Sequence, residues 1–472
     1  MKLGRTAFVA AMAVSLAACG GDDDNMRSPV RTGVAAPDCS LSARQDWAKS
    51  QLQEWYRFPD LLDLSVNKAN HGSVQSYLDA LTAPGDDLFD PDNIGKTFTY
   101  ITSIEEENDL IANGSSAGFG IRLIYDRSSN RVFVSEAFET APGFKAGIDR
   151  GTEILQIEGQ SVSNLMSSGG PSAVSQALGP SDPGVTRNLV IRNTSGVEQS
   201  VTVSKADFSL DPISNRYGVK ILDDGAGGRV GYINLRTFIV QNASEQLRTA
   251  FAEFRSQGIT NIILDVRYNG GGLVNVADTL GDLMGEGLEG QVFSRTTYRS
   301  SKAAENSTEL FEQEAQQIKV TKLAVIGRLG TASASELVAN SMIPYLSENI
   351  ALIGEDTYGK PVGQDAFDRS ACDDRLRAVT FQTVNANGGG EYFGGLASVM
   401  PNTCRAEDDI FSQLGSPAEQ SVSVALDFLA GRTCTPIVSG AKDGSVKAEA
   451  PTRQLLQPQM PTAAQREILG LY

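Results

Sequence analysis

KLAVIGRLGTASASELVANSMIPYLSENIALIGEDTYGKP, residues 322–361, holds two patterns in succession. KLAVIG and IALIG are short unbroken apolar runs rich in β-branched residues, as expected of strands buried on both faces of a parallel sheet. Between them a Ser-rich turn leads into SELVANSMIPYL, which reads as a helix. Strand, turn, helix and strand in this order predict an α/β layer with chemistry in the loops at the strand ends. Three hydroxyl residues, Thr331, Ser333 and Ser335, precede the helix. A helix cap needs one side-chain oxygen, which accounts for Ser335 or Thr331 and leaves Ser333 without a job. The turn bearing Ser333 and the turn bearing Lys360 are separated by about one helix and one strand, so both emerge at one sheet edge and the two residues can be neighbours.

Upstream, RVGYINLRTFIV is a strand signal, ASEQLRTAFAEFRSQG an amphipathic helix closed by Gly258, and NIILDV a buried strand. This βαβ unit ends in Asn269-Gly270-Gly271-Gly272, where three glycines permit close approach of a substrate backbone. Further upstream, GFGIRLIYD, RVFVSEAF and GTEILQIEGQSV alternate short β runs with glycine turns around one helix, followed by RNLVIRN and EQSVTVSK. The order and residues resemble a PDZ domain, with Gly118-Phe119-Gly120-Ile121 as its carboxylate loop and Ala146-Gly147-Ile148 through Gly151-Thr152-Glu153-Ile154-Leu155 as its AGL-x-x-GDEIL region. Such a loop aims backbone N–H groups at a peptide's terminal carboxylate while the peptide adds a strand to the sheet edge.

The chain opens with Lys2 and Arg5, an apolar run from Ala7 to Ala18, and Leu16-Ala17-Ala18-Cys19, an export signal too short to span a bilayer. Its ending resembles a bacterial lipobox, which would make Cys19 the lipidated mature N-terminus. The remaining cysteines, Cys39, Cys372, Cys404 and Cys434, are even in number and suit two disulfides in an oxidising compartment. Of the three pairings, Cys372 with Cys404 and Cys39 with Cys434 is preferred, the second tying the ends of the body together. The net charge of −17 argues against nucleic acid, and without Cys-x-x-Cys spacing or clustered histidines no metal is expected.

Three familiar patterns are discounted. The single histidine, His71, sits in the polar stretch KANHGS far from the glycine- and serine-rich loops, which disfavours a Ser-His-Asp mechanism. Gly354 to Pro361 fits Gly-x4-Gly-Lys of a phosphate loop, but Pro361 stands where a hydroxyl is needed and lacks an N–H. Ser-x-x-Lys occurs at Ser65/Lys68 and Ser439/Lys442, both in unpromising surroundings.

The whole set closely resembles the carboxy-terminal processing peptidases, the tail-specific serine proteases of peptidase family S41. The matching elements are VGYINLRTF, LDVRYNGGG for D-L-R-x-N-x-G-G, TASASE for S-A-S-A-S-E, and GEDTYGKPVGQ for G-E-x-T-F-G-K-G-x-x-Q. The resemblance implies Ser333 as nucleophile, Lys360 as base, Gln364 as the group orienting the lysine, and the N–H groups of Gly271 and Ala334 as oxyanion donors. For Lys360 to be neutral near pH 7, about 4 kcal/mol must be lost from the preference for its charged form, which desolvation can supply. Pro361, Tyr358 and Val266 depart tolerably from the family pattern, the following helix lacks a third carboxylate, and Asn402 replaces an aspartate in the closing element.

The expected organisation is multidomain: a lipoprotein signal (1–18), a flexible tether (19–38), a helical N-terminal region (39–110), a PDZ-like β-rich domain (111–208), an S41-type α/β core of the ClpP/crotonase-like kind (209–437) and a polar C-terminal tail (438–472) that docks loosely or is mobile. The expected function is a lipid-anchored endopeptidase facing the periplasm, with the outer membrane mildly preferred, that cuts proteins with exposed C-termini and needs no cofactor. The alternatives are a non-catalytic peptide-binding adaptor and a hydrolase of small esters or lactams using the same dyad.

Overall fold

The computed structural model describes residues 38–90, 96–438 and 453–472. Cys19 and the signal segment lie outside them, as do Ser439 and Lys442. Residues 38–472 group into one compact unit.

The N-terminal region is helical as expected, with α1 (Leu41–Trp55) and α2 (Val74–Phe89) packed together, but it also supplies strand β1 (Tyr100–Ser103) to a sheet of the core. The next region is an antiparallel sheet of β2 (Ile121–Asp126), β3 (Arg131–Ala137), β4 (Glu153–Ile157), β5 (Thr186–Arg192) and β6 (Glu198–Ser204), crossed by helix α3 (Val162–Leu178).

The core is built on six strands. In chain order these are β7 (Val219–Asp223), β8 (Arg229–Asn234), then after helix α4 (Ala243–Ser256) β9 (Asn261–Asp265), and after helix α5 (Val274–Met284) and strand β10 (Val292–Tyr298) of a second sheet, β11 (Lys322–Gly327). Helix α6 (Ala334–Leu346) follows, then β12 (Ile350–Gly354), the hairpin β13 (Val362–Arg369) and β14 (Asp374–Val384) of the second sheet, β15 (Asn402–Arg405) and helix α7 (Gln420–Leu429). The spatial order is β7-β8-β9-β11-β12-β15, parallel except for β7.

Side chains alternate across this sheet. Ile262, Leu264, Val325 and Leu352 pack beneath α4, α5 and α6, while Ile263, Ala324, Ile326 and Ile353 pack beneath α7. Covering on both faces is the physical reason the strands read as unbroken apolar runs. The parallel register sets Asp265 beside Ile326 and Ile326 beside Ile353, so the loops after β9, β11 and β12 leave the sheet side by side. These are the NGGG, Ser-rich and Gly-Lys loops, and such strand ends are where open α/β sheets place their sites. Among the described residues no helix is long and apolar enough to cross a membrane.

Two expectations need correction. The disulfides join Cys39 to Cys372 and Cys404 to Cys434, with Cα separations of 5.6 and 5.4 Å. Cys404 lies on β15 facing α7, where Cys434 packs against the same cluster. Cys372 lies in the β13–β14 turn, where the start of α1 and the residues before it are held by Arg369 donating to the Ala43 and Asp38 carbonyls. The Cys404–Cys434 separation, 30 residues, is also shorter than that between Cys372 and Cys404. Cys39–Cys372 closes a loop of 333 residues, and its removal by Cys39→Ser is expected to lower the unfolding free energy by about 4 kcal/mol, read as a drop in denaturation midpoint absent when wild type is measured fully reduced.

The second correction concerns the tail. Over residues 453–472 it is part of the fold: β16 (Arg453–Leu455) pairs with β2, helix α8 (Ala463–Glu467) packs against the body, and Leu456, Ile468, Leu471 and Tyr472 are buried.

Candidate functional site

Ser333 itself is the N-cap of α6, the role the sequence reading assigned to Ser335 or Thr331, and its backbone stands at φ 55°, ψ −117°. A non-glycine residue at positive φ costs about 1–3 kcal/mol unless its surroundings hold it there. Here the holding groups are explicit. Thr331 Oγ1 donates to the Val266 carbonyl at 2.7 Å, and Ala332 N–H and Ser335 Oγ both donate to the Asn269 carbonyl at 3.1 and 3.0 Å. The neighbouring hydroxyls thus pin the Ser-rich turn to the glycine turn, leaving Ser333 as the half-buried hydroxyl of the three.

The centre of the arrangement is Glu336, fully buried in the first turn of α6. Its Oε2 accepts the backbone N–H of Ser333 at 3.0 Å and that of Lys360 at 2.7 Å; its Oε1 accepts Gly359 N–H at 2.7 Å and the Thr357 hydroxyl at 2.5 Å. Two amides sharing one oxygen cannot lie farther apart than the two hydrogen bonds laid end to end. One carboxylate therefore clamps the serine turn to the lysine turn. Burial raises the Glu336 carboxyl to about 7, against the pull of its four donors. In the sequence this residue reads only as part of the helix SELVANSMIPYL; the Ser-x-x-Glu spacing of a capping box was the signal available.

Lys360 is half-buried beside Phe98, its Nζ 6.0 Å from the ring centroid, and donates to Gln364 Oε1 at 2.9 Å. Gln364 in turn donates through Nε2 to the Phe98 carbonyl, which fixes the amide so that its oxygen faces the amine. Loss of hydration holds the Lys360 amine below its usual range, with Glu467 and Glu336 pulling the other way and Arg377 adding to the depression.

Gly271 (φ 109°) is brought against the serine: a Cβ placed on it would lie 2.8 Å from Ser333 Cβ and 3.0 Å from Ala334 N. Its own N–H is engaged, donating to Asn269 Oδ1 at 2.9 Å. Ala334 opens α6, so its N–H has no acceptor within the helix. Behind the glycine turn, Arg267 is completely buried and bonded to Asp265 at 2.9 Å and to both oxygens of Glu419 at 2.8 and 2.9 Å. That network anchors the DVRYNGGG segment where it leaves β9.

Ser333, Ala334, Gly271, Lys360 and Gln364 are thus gathered at the ends of β9, β11 and β12. A cleft of about 820 Å³ opens there, lined among others by Phe98, Gly270, Ala332 and Lys360, and by Glu467 and Leu469 of the C-terminal segment. His71 stands elsewhere, in the N-terminal region against the Tyr77 ring. Gly118, Phe119, Gly120 and Ile121 do not line this cleft: Gly118 ends a short strand (Ser115–Gly118), Phe119 and Gly120 join it to β2, Ile121 opens β2, and all four are buried. Among the described residues no group of acidic, cysteine or histidine side chains could hold a metal.

Residues 229–396 match the model of peptidase family S41. The chain is 27% identical over 342 residues to the carboxyl-terminal-processing protease of Synechocystis sp., covering 72% of this chain and 74% of that one. It is 30% identical to the chloroplastic C-terminal processing peptidase of Tetradesmus obliquus over 272 residues, 54% of each. A crystal structure of an S41 protease from Bacteroides fragilis superposes with a TM-score of 0.64 at 22% identity, covering 82% of this chain and 97% of that one.

Proposed function

Because the chain belongs to peptidase family S41, we propose that it is a serine endopeptidase working through Ser333 and Lys360 on proteins with exposed C-terminal tails. The observation that carries this reading is the shared Glu336 oxygen, which couples a strained serine to a desolvated lysine across two loops.

Neutral Lys360 takes the proton from Ser333 Oγ as that oxygen attacks the scissile carbonyl carbon. The developing oxyanion is stabilised by the N–H groups of Ala334 and Gly271, each worth about 3 kcal/mol when aimed at it. The Gly271 N–H must first leave Asn269, a reorientation that glycine's freedom permits. Lys360 hands its proton to the leaving amine, an acyl-enzyme remains on Ser333, and water releases it with the lysine again as base. Gln364 holds the amine in line. In this reading residues 111–208 are PDZ-like: the Gly118–Ile121 loop and the β2 edge take up the substrate tail and present the chain to Ser333. A lipid on Cys19 holds the enzyme to the bacterial cell envelope facing the periplasm, the outer membrane being preferred. The two disulfides suit that oxidising compartment.

Incubating the purified chain with an unfolded protein that ends in apolar residues, and weighing the products, tests the reading. Internal cleavage is expected, slowed when aspartates replace the terminal residues. Binding without cleavage would favour the adaptor, and turnover of small esters with polypeptides spared would favour the small-molecule hydrolase.

A further inference from the structure

The edge of β2 opposite β3 is where a peptide would add a strand, and it is taken. Arg453, Gln454 and Leu455 pair with Asp126, Tyr125 and Ile124, and Leu456 N–H donates to the Leu123 carbonyl at 2.9 Å. The chain then leaves the edge through α8 and returns. Leu123 N–H donates to the Gly470 carbonyl at 2.8 Å, and Ile121 and Tyr472 exchange both backbone hydrogen bonds, at 2.9 and 3.2 Å. Tyr472 is 2% exposed, and its side chain packs into the cluster of Phe119, Ile121, Val174 and Leu178 between β2 and α3. Gly118 makes room for it: a Cβ there would lie 2.9 Å from the Tyr472 carbonyl carbon.

The portion between the two pairings lies over the catalytic loops. A Cβ on Gly270 would meet the Glu467 carbonyl at 2.8 Å, and one on Gly330 would meet Leu455 at 2.7 Å. Glu467 accepts from the Tyr100 hydroxyl at 2.9 Å, and Arg122 donates to both the Tyr268 and Leu469 carbonyls at 2.9 and 2.6 Å. A single segment therefore fills the peptide groove with an aromatic residue and touches the glycine turn next to the serine.

We infer that residues 453–472 are an internal ligand: Gly470–Tyr472 occupies the groove meant for a substrate segment ending in a bulky apolar or aromatic residue, and holds the protease latent until such a segment displaces it. The inference rests on the proposed peptide-binding role of the Gly118–Ile121 loop. Two further features fit a latent state. The Gly271 N–H is bonded to Asn269, and Glu467 favours the charged form of Lys360, so withdrawal of α8 would ease both glycine reorientation and lysine deprotonation.

The test compares the full chain with one lacking residues 470–472, and with full-length Tyr472→Ala as a variant that keeps the backbone. All carry Ser333→Ala so that nothing is cut, and thermal melts verify folding. The probe is a fluorescent peptide of residues 463–472, AAQREILGLY, with hydrogen exchange at the Ile121 and Leu123 amides as a second measurement. The truncated chain is expected to bind the peptide about tenfold more tightly than the full chain, the full chain's competent fraction being the smaller, and to lose protection at both amides, with Tyr472→Ala in between. With Ser333 restored, truncation is expected to raise cleavage of an unfolded protein by a similar factor at low substrate concentration. Equal peptide binding by full and truncated chains, or unchanged protection on truncation, would overturn the inference while leaving the peptide-site reading standing. Protection lost with no peptide bound by any form would remove the peptide-site reading and the inference with it.

Discussion

Lys360→Met is expected to lower kcat for polypeptide cleavage about a thousandfold, the scale on which a positioned general base contributes. Methionine keeps the unbranched length and the apolar contact with Phe98 but has no nitrogen to take the Ser333 proton. Ser333→Ala is expected to lose at least as much, and the double variant little more than either single one, since the pair acts as a unit. The wild-type rate should rise with pH as Lys360 deprotonates, with its midpoint below the ordinary lysine value of about 10.4, because desolvation depresses the amine more than Glu467 and Glu336 restore it. A methionine variant as active as wild type, or a wild-type rate flat from mildly acidic to strongly alkaline pH, would remove the dyad.

The second large effect is expected at Glu336. Glu336→Gln keeps the shape but replaces one acceptor oxygen with an NH2 group, which would then face either the Ser333 and Lys360 amides or the Thr357 hydroxyl and Gly359 amide. Either way two buried donors lose their acceptor, a cost of about 1–3 kcal/mol each. The strained Ser333 backbone loses its tether, and kcat is expected to fall about a hundredfold, the order expected for a small misplacement of reacting groups. On the proposed peptide-binding reading, uptake at the β2 edge should be unchanged, which separates positioning from loss of fold.

Stability carries a further signature. The folded Glu336 carboxyl is raised to about 7 from an ordinary 4.5, so the native state binds the extra proton. Its contribution is fully present below pH 4.5 and lost as pH rises through about 7, a change of about 3 kcal/mol. Glu336→Gln should abolish that slope, read by chemical denaturation at several pH values. An unchanged slope in the variant would show that the burial of this charge is not what sets it.

Much of the site was legible before the fold. Unbroken apolar runs flanked by turns can be strands of a parallel sheet, and the parallel arrangement itself forces the loops after β9, β11 and β12 to one edge. Ser333 and Lys360 could therefore be placed as neighbours from loops and spacing, whereas Gln364, Gly271 and Ala334 were named only through the family resemblance. The clamp through Glu336 was harder to see, because a glutamate three residues after a serine at a helix start has a sufficient local explanation in capping. That both its oxygens also accept from another loop depends on the depth of the turn, which no local pattern encodes. The disulfide pairing was misread for a related reason: chain separation says little about which cysteines meet once β15 faces α7 and the β13–β14 turn faces the start of α1.

By itself the sequence determined the alternation of strand and helix, the order of the loops and the residue types at their tips, since these follow from periodicity and turn chemistry. Only the tertiary structure decided where the polar, proline-containing end of the chain goes. Its seat on the β2 edge and against the glycine turn depends on backbone hydrogen bonds and on the burial of Leu456, Ile468, Leu471 and Tyr472, contacts that reward a complementary edge already folded and leave no periodic trace in the segment that makes them.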